Sequence, residues 1–405
     1  MRDMKDSGVL WIGEIPVDWN LQQGKYVYKI ETGKLDVNAE DFDGIYPFFT
    51  CSMHPRRINT YAFDCEALLV AGNGIVGYTQ YYKGKFNAYQ RTYVLSNFKG
   101  VQTDYLKYYI SNNLMIDVSQ KSIGSVIQFI KLGDLRNFVI AFPNETLQKR
   151  IVAVLDQQCD QLNALIQNVE KQIEKLKVYK QSVITEVVTK GLDPSIPMKD
   201  SEVEWMANVP AHWEIRPSKF LFENCDERRR EGDVQLTASQ KYGMISQEEY
   251  MRRENARIVL ADKGLENWKH IEPFDFVISL RSFQGGLEMS EVSGCATWHY
   301  IVLRARQQIH PYYFKWLFKS SMYITALQRT CNYIRDGQDL RYSNFVKVPL
   351  CIPTIEEQYS IADYLDKKCA QIDQLITIKQ KKIDKLNEYK KSLIYEYVTG
   401  KKEVS

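Results

Sequence analysis

The feature that most constrains this chain is a duplication. Residues 143–190, PNETLQKRIVAVLDQQCDQLNALIQNVEKQIEKLKVYKQSVITEVVTK, return as residues 353–400, PTIEEQYSIADYLDKKCAQIDQLITIKQKKIDKLNEYKKSLIYEYVTG. The two align without a gap and are identical at 20 of 48 positions. A self-match of that length has to be built into any fold the chain adopts. In the first copy Leu155, Cys159, Leu162, Ile166, Val169, Ile173, Leu176, Lys180, Val183 and Val187 fall at alternating steps of four and three. That is the seam of a heptad helix. The second copy keeps the register with Leu365, Cys369, Ile372, Ile376, Lys379, Ile383, Leu386, Lys390, Leu393 and Tyr397. Each stripe thus has a partner in the other, and the two helices are expected to pack together. At ~1.5 Å per residue such a helix spans roughly 65 to 70 Å, more than a globular core requires. Lys180 and Lys390 interrupt the seams, either snorkelling where the helices splay or setting their register.

A second repeat comes after the first helix. DSGVLWIGEIPVDW (Asp6 to Trp19) reappears as DSEVEWMANVPAHW (Asp200 to Trp213), with both tryptophans and the proline held in place. Between them GLDPSIP stops the helix with a glycine and two prolines. The chain therefore reads as a near-closed cycle of tryptophan peptide, domain and helix, made twice. The N-terminal peptide is expected to sit where the second helix ends, with the helices antiparallel about a pseudo-twofold. The intervening segments have diverged, but both carry short β-type runs and then an amphipathic stretch, TDYLKYYISNNLM in one and PYYFKWLFKSSMYITALQ in the other. The expected fold class is α+β, with two similar α+β domains separated by two long helices forming an antiparallel coiled coil. The predicted boundaries are 1–142 for the first peptide and domain, 143–190 for the central helix, 191–352 for the linker, second peptide and second domain, and 353–405 for the C-terminal helix.

At 405 residues and 44% hydrophobic content the chain has material for two cores. No apolar run approaches a membrane span and MRDMKDSGVLW lacks the apolar core of a signal peptide, so a cytoplasmic protein is expected. Eight cysteines without a CxxC pair, and five histidines without ligand spacing, give no metal site. GNGIVG at Gly72 to Gly77 is a literal GxGxxG, but the adjoining YTQYYKGKF resembles strand and no acidic residue lies ~20 positions on, so these are read as turn glycines. Gly84 and Lys85 lack the spacing of a P-loop. No cofactor and no catalytic residue is expected.

Net charge is only +3, so contact with nucleic acid has to rest on local clusters. These are Arg56 and Arg57 after a proline, Lys83 and Lys85 on a glycine turn, Arg228, Arg229 and Arg230, and Arg252, Arg253 and Arg257. Arginine forks pair with guanine edges, lysines act as phosphate point charges, and Asn or Gln reads adenine. Arg91 and Arg281 lie beside predicted strands, and Asn73 and Gln284 lie on glycine turns; all four are candidates.

The tryptophan peptides, the entries LRNFVIAFP and SNFVKVPLCIP, the starts ETLQKRIVAVLD and IEEQYSIADYLD, and the ends VTK and VTG together resemble the specificity subunit of type I restriction-modification enzymes. The resemblance covers essentially the whole chain. It implies a non-catalytic subunit in which each domain reads one half of a split, asymmetric site in double-stranded DNA. The helices would set the gap and dock two methyltransferase subunits, with Leu155, Leu162, Ile166, Ile173, Leu176, Leu365, Ile372, Ile376, Ile383 and Leu386 as the spacer and docking residues. Restriction and translocation subunits would join to complete the nuclease, and methyl donor and ATP would belong to those partners. A coiled-coil scaffold whose domains bind protein is the alternative. Tandem nuclease or methyltransferase domains form a third class, for which the sequence supplies no motif.

Overall fold

The computed structural model describes residues 2–121, 129–257, 260–261, 263–279, 282–331 and 340–404. It divides into two compact units, Met1–Glu170 with Gln380–Ser405, and Lys171–Lys379. Each unit draws on both copies of the duplicated helix. Among the described residues no helix is long and apolar enough to cross a membrane.

The first unit is built on a six-stranded sheet. Its strands are β1 (Lys29–Thr32), β2 (Tyr46–Phe49), β3 (Arg56–Ile58), β4 (Phe63–Ala71), β5 (Thr79–Ala88) and β6 (Thr92–Ser96), in the spatial order β1-β6-β4-β5-β2-β3. All neighbours are antiparallel except β2 and β5. The run EALLVA in β4 is apolar at consecutive positions because both faces are covered. Leu68 and Val70 enter the main core, while Ala67 and Leu69 join Phe49, Phe86 and Val94 in a smaller core on the other face. Helix α1 (Thr103–Lys121) buries Tyr105, Leu106, Tyr109, Ile110 and Leu114, a spacing that gives one apolar stripe. Against it lie Trp11, Ile12, Trp19, Leu155 and Leu162, together with Leu393 and Val398 from the second copy. Helix α2 (Glu145–Lys190) opens on Asn144, whose Oδ1 accepts the Leu147 N–H at 3.0 Å.

In the second unit β7 (Phe222–Cys225), β8 (Phe276–Ile278), β9 (Glu288–Met289) and β10 (Ile301–Ala305) lie in the order β7-β10-β8-β9. That repeats the β1-β6-β4-β5 arrangement of the first unit. The stretch PYYFKWLFKSSMYITALQ forms two helices, α3 (Pro311–Lys319) and α4 (Ser321–Arg329). Ser320 separates them with extended backbone, and its side chain caps α4 by accepting from the Tyr323 N–H. Helix α5 (Ile355–Val398) completes the duplication. Ile361, Leu365 and Cys369 of α5 and Val183, Val187 and Val188 of α2 share one core with Phe222, Phe276, Phe314 and Phe318.

The seam positions of both helices are buried or half-buried. Lys390 Nζ reaches Asn163 Oδ1 at 2.7 Å in the first unit, and Lys180 Nζ reaches Asp373 Oδ2 at 2.6 Å in the second. Lys180 is the equivalent of Lys390, and Asn163 of Asp373, so this is one contact made twice. In the second unit Lys379 Nζ also meets Gln172 Oε1 at 2.6 Å. In the second unit partner numbers fall on α5 as they rise on α2, 379 facing 172 and 373 facing 180. The seam lysines therefore reach polar groups on the facing helix.

A second contact made twice ties each helix end to its unit. Tyr105 Oη lies 2.9 Å from the Ala141 carbonyl and 2.8 Å from that of Val398, donating between them. Tyr313 Oη stands likewise 3.3 Å from the Cys351 and 3.1 Å from the Val188 carbonyl. The first unit is closed by the end of α5 and the second by the end of α2, as the cyclic order of the repeats requires. Around the first closure Lys401 Nζ donates to Ile12 O at 2.7 Å, and Tyr395 Oη to Trp11 O at 2.7 Å. Gly400 and Gly191 both have positive φ, and a Cβ at Gly400 would meet Pro16 at 2.5 Å, so the tryptophan peptide needs glycine there. Gln148 and Gln358, five residues after Pro143 and Pro353, are buried and bond back to those prolines' carbonyls at 2.8 and 3.0 Å.

Candidate nucleic-acid interface

In each unit two segments meet at one edge of the sheet. In the first, Ala71 of β4 pairs with Thr92 of β6, so the loop leaving β4 emerges beside the turn entering β6. The loop is Gly72–Tyr78 and the turn is Tyr89–Arg91. Gly72 N–H donates to Arg91 O at 2.9 Å and Ile75 N–H to Cys51 O at 3.2 Å, drawing in the loop after β2 as well. The glycines allow the close approach: a Cβ on Gly72 would stand 2.5 Å from Arg91 O. Half-buried Asn73 and exposed Arg91 are thus neighbours, with exposed His54 three residues after Cys51. Ile130 N–H donates to Gly72 O at 2.8 Å, which brings exposed Phe129, with Lys131 Nζ 5.8 Å from its ring centre, to the same loop.

In the second unit Ile278 of β8 pairs with Ile301 of β10, so Ser279 ends beside the turn Thr297–Tyr300. The loop makes a helical turn, Ser282–Gly285, carrying exposed Gln284. It is held from beneath. Lys319 Nζ donates to Gly285 O at 3.0 Å and pairs with buried Glu288, while Gln328 Nε2 donates to Phe283 O at 2.6 Å. Burial pushes the Glu288 carboxyl up and the Lys319 ammonium down, while each holds the other's charge. A Cβ on Gly286 would meet Phe318 O at 2.0 Å, so this loop too depends on glycine for its seat. Gln240 lies against Gly285, and Tyr242, two residues on, carries Lys241 Nζ 4.7 Å and the Arg253 guanidinium 4.8 Å from its ring centre.

The family described as Type I restriction modification DNA specificity domain matches residues 16–175. The chain is 39% identical over 173 residues to the type I restriction enzyme EcoDI specificity subunit of Escherichia coli. That match covers 43% of this chain and 38% of the relative, so it spans well under half of that protein. A Methanocaldococcus jannaschii protein provisionally named type I restriction enzyme MjaX specificity subunit is 22% identical over 445 aligned positions, covering 96% of this chain and 95% of that one. The fold is also that of a solved chain from work on complex assembly and conformational transition of the type I R-M system. Its TM-score is 0.64 at 13% identity, over 95% of this chain and 98% of that chain.

Within the matched segment the candidates separate. Asn73 and Arg91 come together; Arg56 and Arg57 lie in β3, at the far edge of the sheet, where Arg56 pairs with Glu40 and Arg57 Nη1 donates to Ile45 O at 3.2 Å. Lys83 and Lys85 are not on a turn. Gly84 sits inside the ten-residue strand β5 opposite Cys65, because β4 pairs with β5 along nearly its whole length. The two lysines stand opposite Glu66 and Asp64, which offset their charge, and Lys85 Nζ lies 4.7 Å from the Tyr61 ring centre.

Arg230 in the second unit is engaged by Glu227 and Glu272, which hold its guanidinium charged. Arg252 and Arg253 both grip Glu249 and hold that carboxyl down at about 2. Arg257 is exposed beyond the helix Gln247–Glu254 that carries Arg252 and Arg253. Arg228 Nη1 donates to Asn267 O at 2.8 Å, and Arg229 N–H donates to Trp268 O at 2.9 Å. Both therefore run beside strand Lys269–Ile271. Arg281 lies outside the described residues.

Sequence reasoning missed Phe129 with Lys131, and Trp298 with His299. Aligning RTYVL with HYIVL puts His299 at the position of Arg91, a signal hidden because GCATWHYIVLRA reads as one continuous strand.

Proposed function

We propose that the whole chain is the DNA-recognition subunit of a type I restriction-modification system, with residues 1–142 and 191–352 each reading one half of a split, asymmetric site. The observation that carries this reading is the pair of equivalent sheet edges, one in each unit, where a glycine-seated loop carries Asn73 or Gln284 and the neighbouring turn carries Arg91 or His299. The same framework holds different side chains, as two different half-sites require. Residues 143–190 and 353–405 act as an antiparallel coiled coil that fixes the gap between the halves and docks two methyltransferase subunits. Leu155, Leu162, Ile173, Leu365, Ile372 and Ile383 are buried and give the spacer its seam. Its outward side supports docking: Leu165 and Leu375 are exposed and equivalent in the duplication, and so are Tyr179 and Tyr389. Each unit thus offers one leucine and one tyrosine to a partner, which suits two copies of the same subunit. Restriction subunits complete the nuclease, the target adenine is extruded into a methyltransferase pocket, and methyl donor and ATP are held by those partners in the cytoplasm. This chain positions and performs no bond-making step.

Mapping modified adenines genome-wide in cells with and without the gene tests the reading. Loss of one split motif with a fixed gap is the expected result. An unchanged methylome in cells that express the gene together with its methyltransferase subunit would overturn it.

A further inference from the structure

The turn Thr297–Tyr300 in the second unit carries an aromatic pair with no structural role in the core. Trp298 is 55% exposed, and its indole lies on the His299 imidazole with ring centres 3.5 Å apart and planes 28° apart. The neighbouring segments carry polar and charged side chains, of which Lys269 is paired with Asp226 and Arg228 donates to the Asn267 carbonyl. On one side the strand pairing Ile278 with Ile301 places it next to Ser279, three residues before the helical turn Ser282–Gly285 that carries Gln284. On the other, the turn continues strand Gly294–Ala296, whose Ala296 pairs with Lys269, and Lys269 bridges to Arg228. Arg228 and Arg229 are both exposed. A large apolar ring left in water costs solvation, and one stacked on a single neighbour keeps its other face open. Aromatic faces interleaved with arginines form the usual surface on which single-stranded or unstacked bases stack, while the cations take the phosphates.

We propose that Trp298, backed by His299, is a stacking platform for one base, unstacked from the duplex, of the half-site that the second unit reads, with Arg228 and Arg229 on the adjoining phosphates. The inference rests on the DNA-recognition function and makes it asymmetric. His299 stands where Arg91 stands in the first unit, so one half-site is met by a cation and the other by an aromatic face.

The test uses the full chain assembled with its methyltransferase subunits, and duplexes carrying the methylated motif with neither half, one half or the other half scrambled, beside a fully scrambled duplex. For wild type, scrambling either half weakens binding. In Trp298→Ala the intact duplex binds roughly 5- to 100-fold more weakly, the range for loss of one base–aromatic stack. Scrambling one of the halves then carries a smaller penalty than in wild type, because the other contacts of that half remain, and the other half keeps its full penalty. Trp298→Phe restores affinity to within about 3-fold, because the ring and not the indole N–H does the stacking. Arg91→Ala, in the first unit, moves the reduced penalty to the opposite half. An unchanged affinity in Trp298→Ala, or an equal loss on every duplex including the fully scrambled one, overturns the platform and leaves DNA recognition intact. A wild-type complex indifferent to scrambling overturns both.

Discussion

Tyr105 and Tyr313 show how single side chains join distant parts of the sequence. Each hydroxyl is buried and shared between a strand-end carbonyl and a helix-end carbonyl, and the helix in each case comes from the other copy of the duplication. Tyr105→Phe and Tyr313→Phe should each lower stability by about 1 to 2 kcal/mol, the cost of leaving buried carbonyls with one donor fewer. Urea unfolding of the full chain measures this, and an unaltered midpoint in either variant would show that its hydroxyl adds nothing. Neither tyrosine could be singled out from the sequence, since TDYLKYY and HPYYFKW show only an amphipathic pattern, and the partner carbonyl is supplied from far along the chain. The arginine clusters were legible as charge but not as partners. Glu227 three residues before Arg230, and Glu249 three and four before Arg252 and Arg253, already carried the spacing of local ion pairs.

At the scale of elements the long helices were the most legible part, because only a continuous helix keeps a heptad pattern on one face over so many turns. Their ends in the structure, Glu145–Lys190 and Ile355–Val398, fall within two residues of the repeat's own limits. The strands were harder: a glycine marks both the loop at Gly72 and the middle of β5 at Gly84, and only cross-strand pairing tells the two apart. The seam lysines lead to a direct expectation. Replacing Lys180 and Lys390 together by methionine should raise the thermal midpoint, by the equivalent of about 0.5 to 1 kcal/mol per site, because the ion pair of Lys180 with exposed Asp373 and the bond of Lys390 to the Asn163 amide are each worth little and apolar area is gained. A lower midpoint would mean that these lysines hold the helices in register. Inserting four residues within 171–177 moves everything beyond by ~6 Å along the axis and turns the seam by about 40°. Methylome sequencing should then show a changed gap or no modification, with the half-site sequences untouched; an unaltered gap would remove the helices as the ruler.

On the scale of the whole molecule, the cyclic order of the repeats predicts that the chain tolerates new ends. Lys401 already touches Ile12, and GLDPSIP at residues 191–197 is an exposed to half-buried break between repeats. A circular permutant opened within 191–197, with Val404 linked to Arg2 by a short glycine tether, should direct methylation to the same split motif as the natural order. Loss of the motif in a soluble, folded permutant would show that connectivity carries part of the specificity. The same closure governs the order of events during synthesis. The first unit consists of Met1–Glu170 together with Gln380–Ser405, so it is begun before the second unit and completed after it. Until residues 380–404 leave the ribosome, Leu155, Cys159 and Leu162 wait without Leu393, Tyr397 and Val398 to cover them. Contacts that span nearly the whole chain fold slowly and leave apolar surface open to chaperones and to other nascent chains.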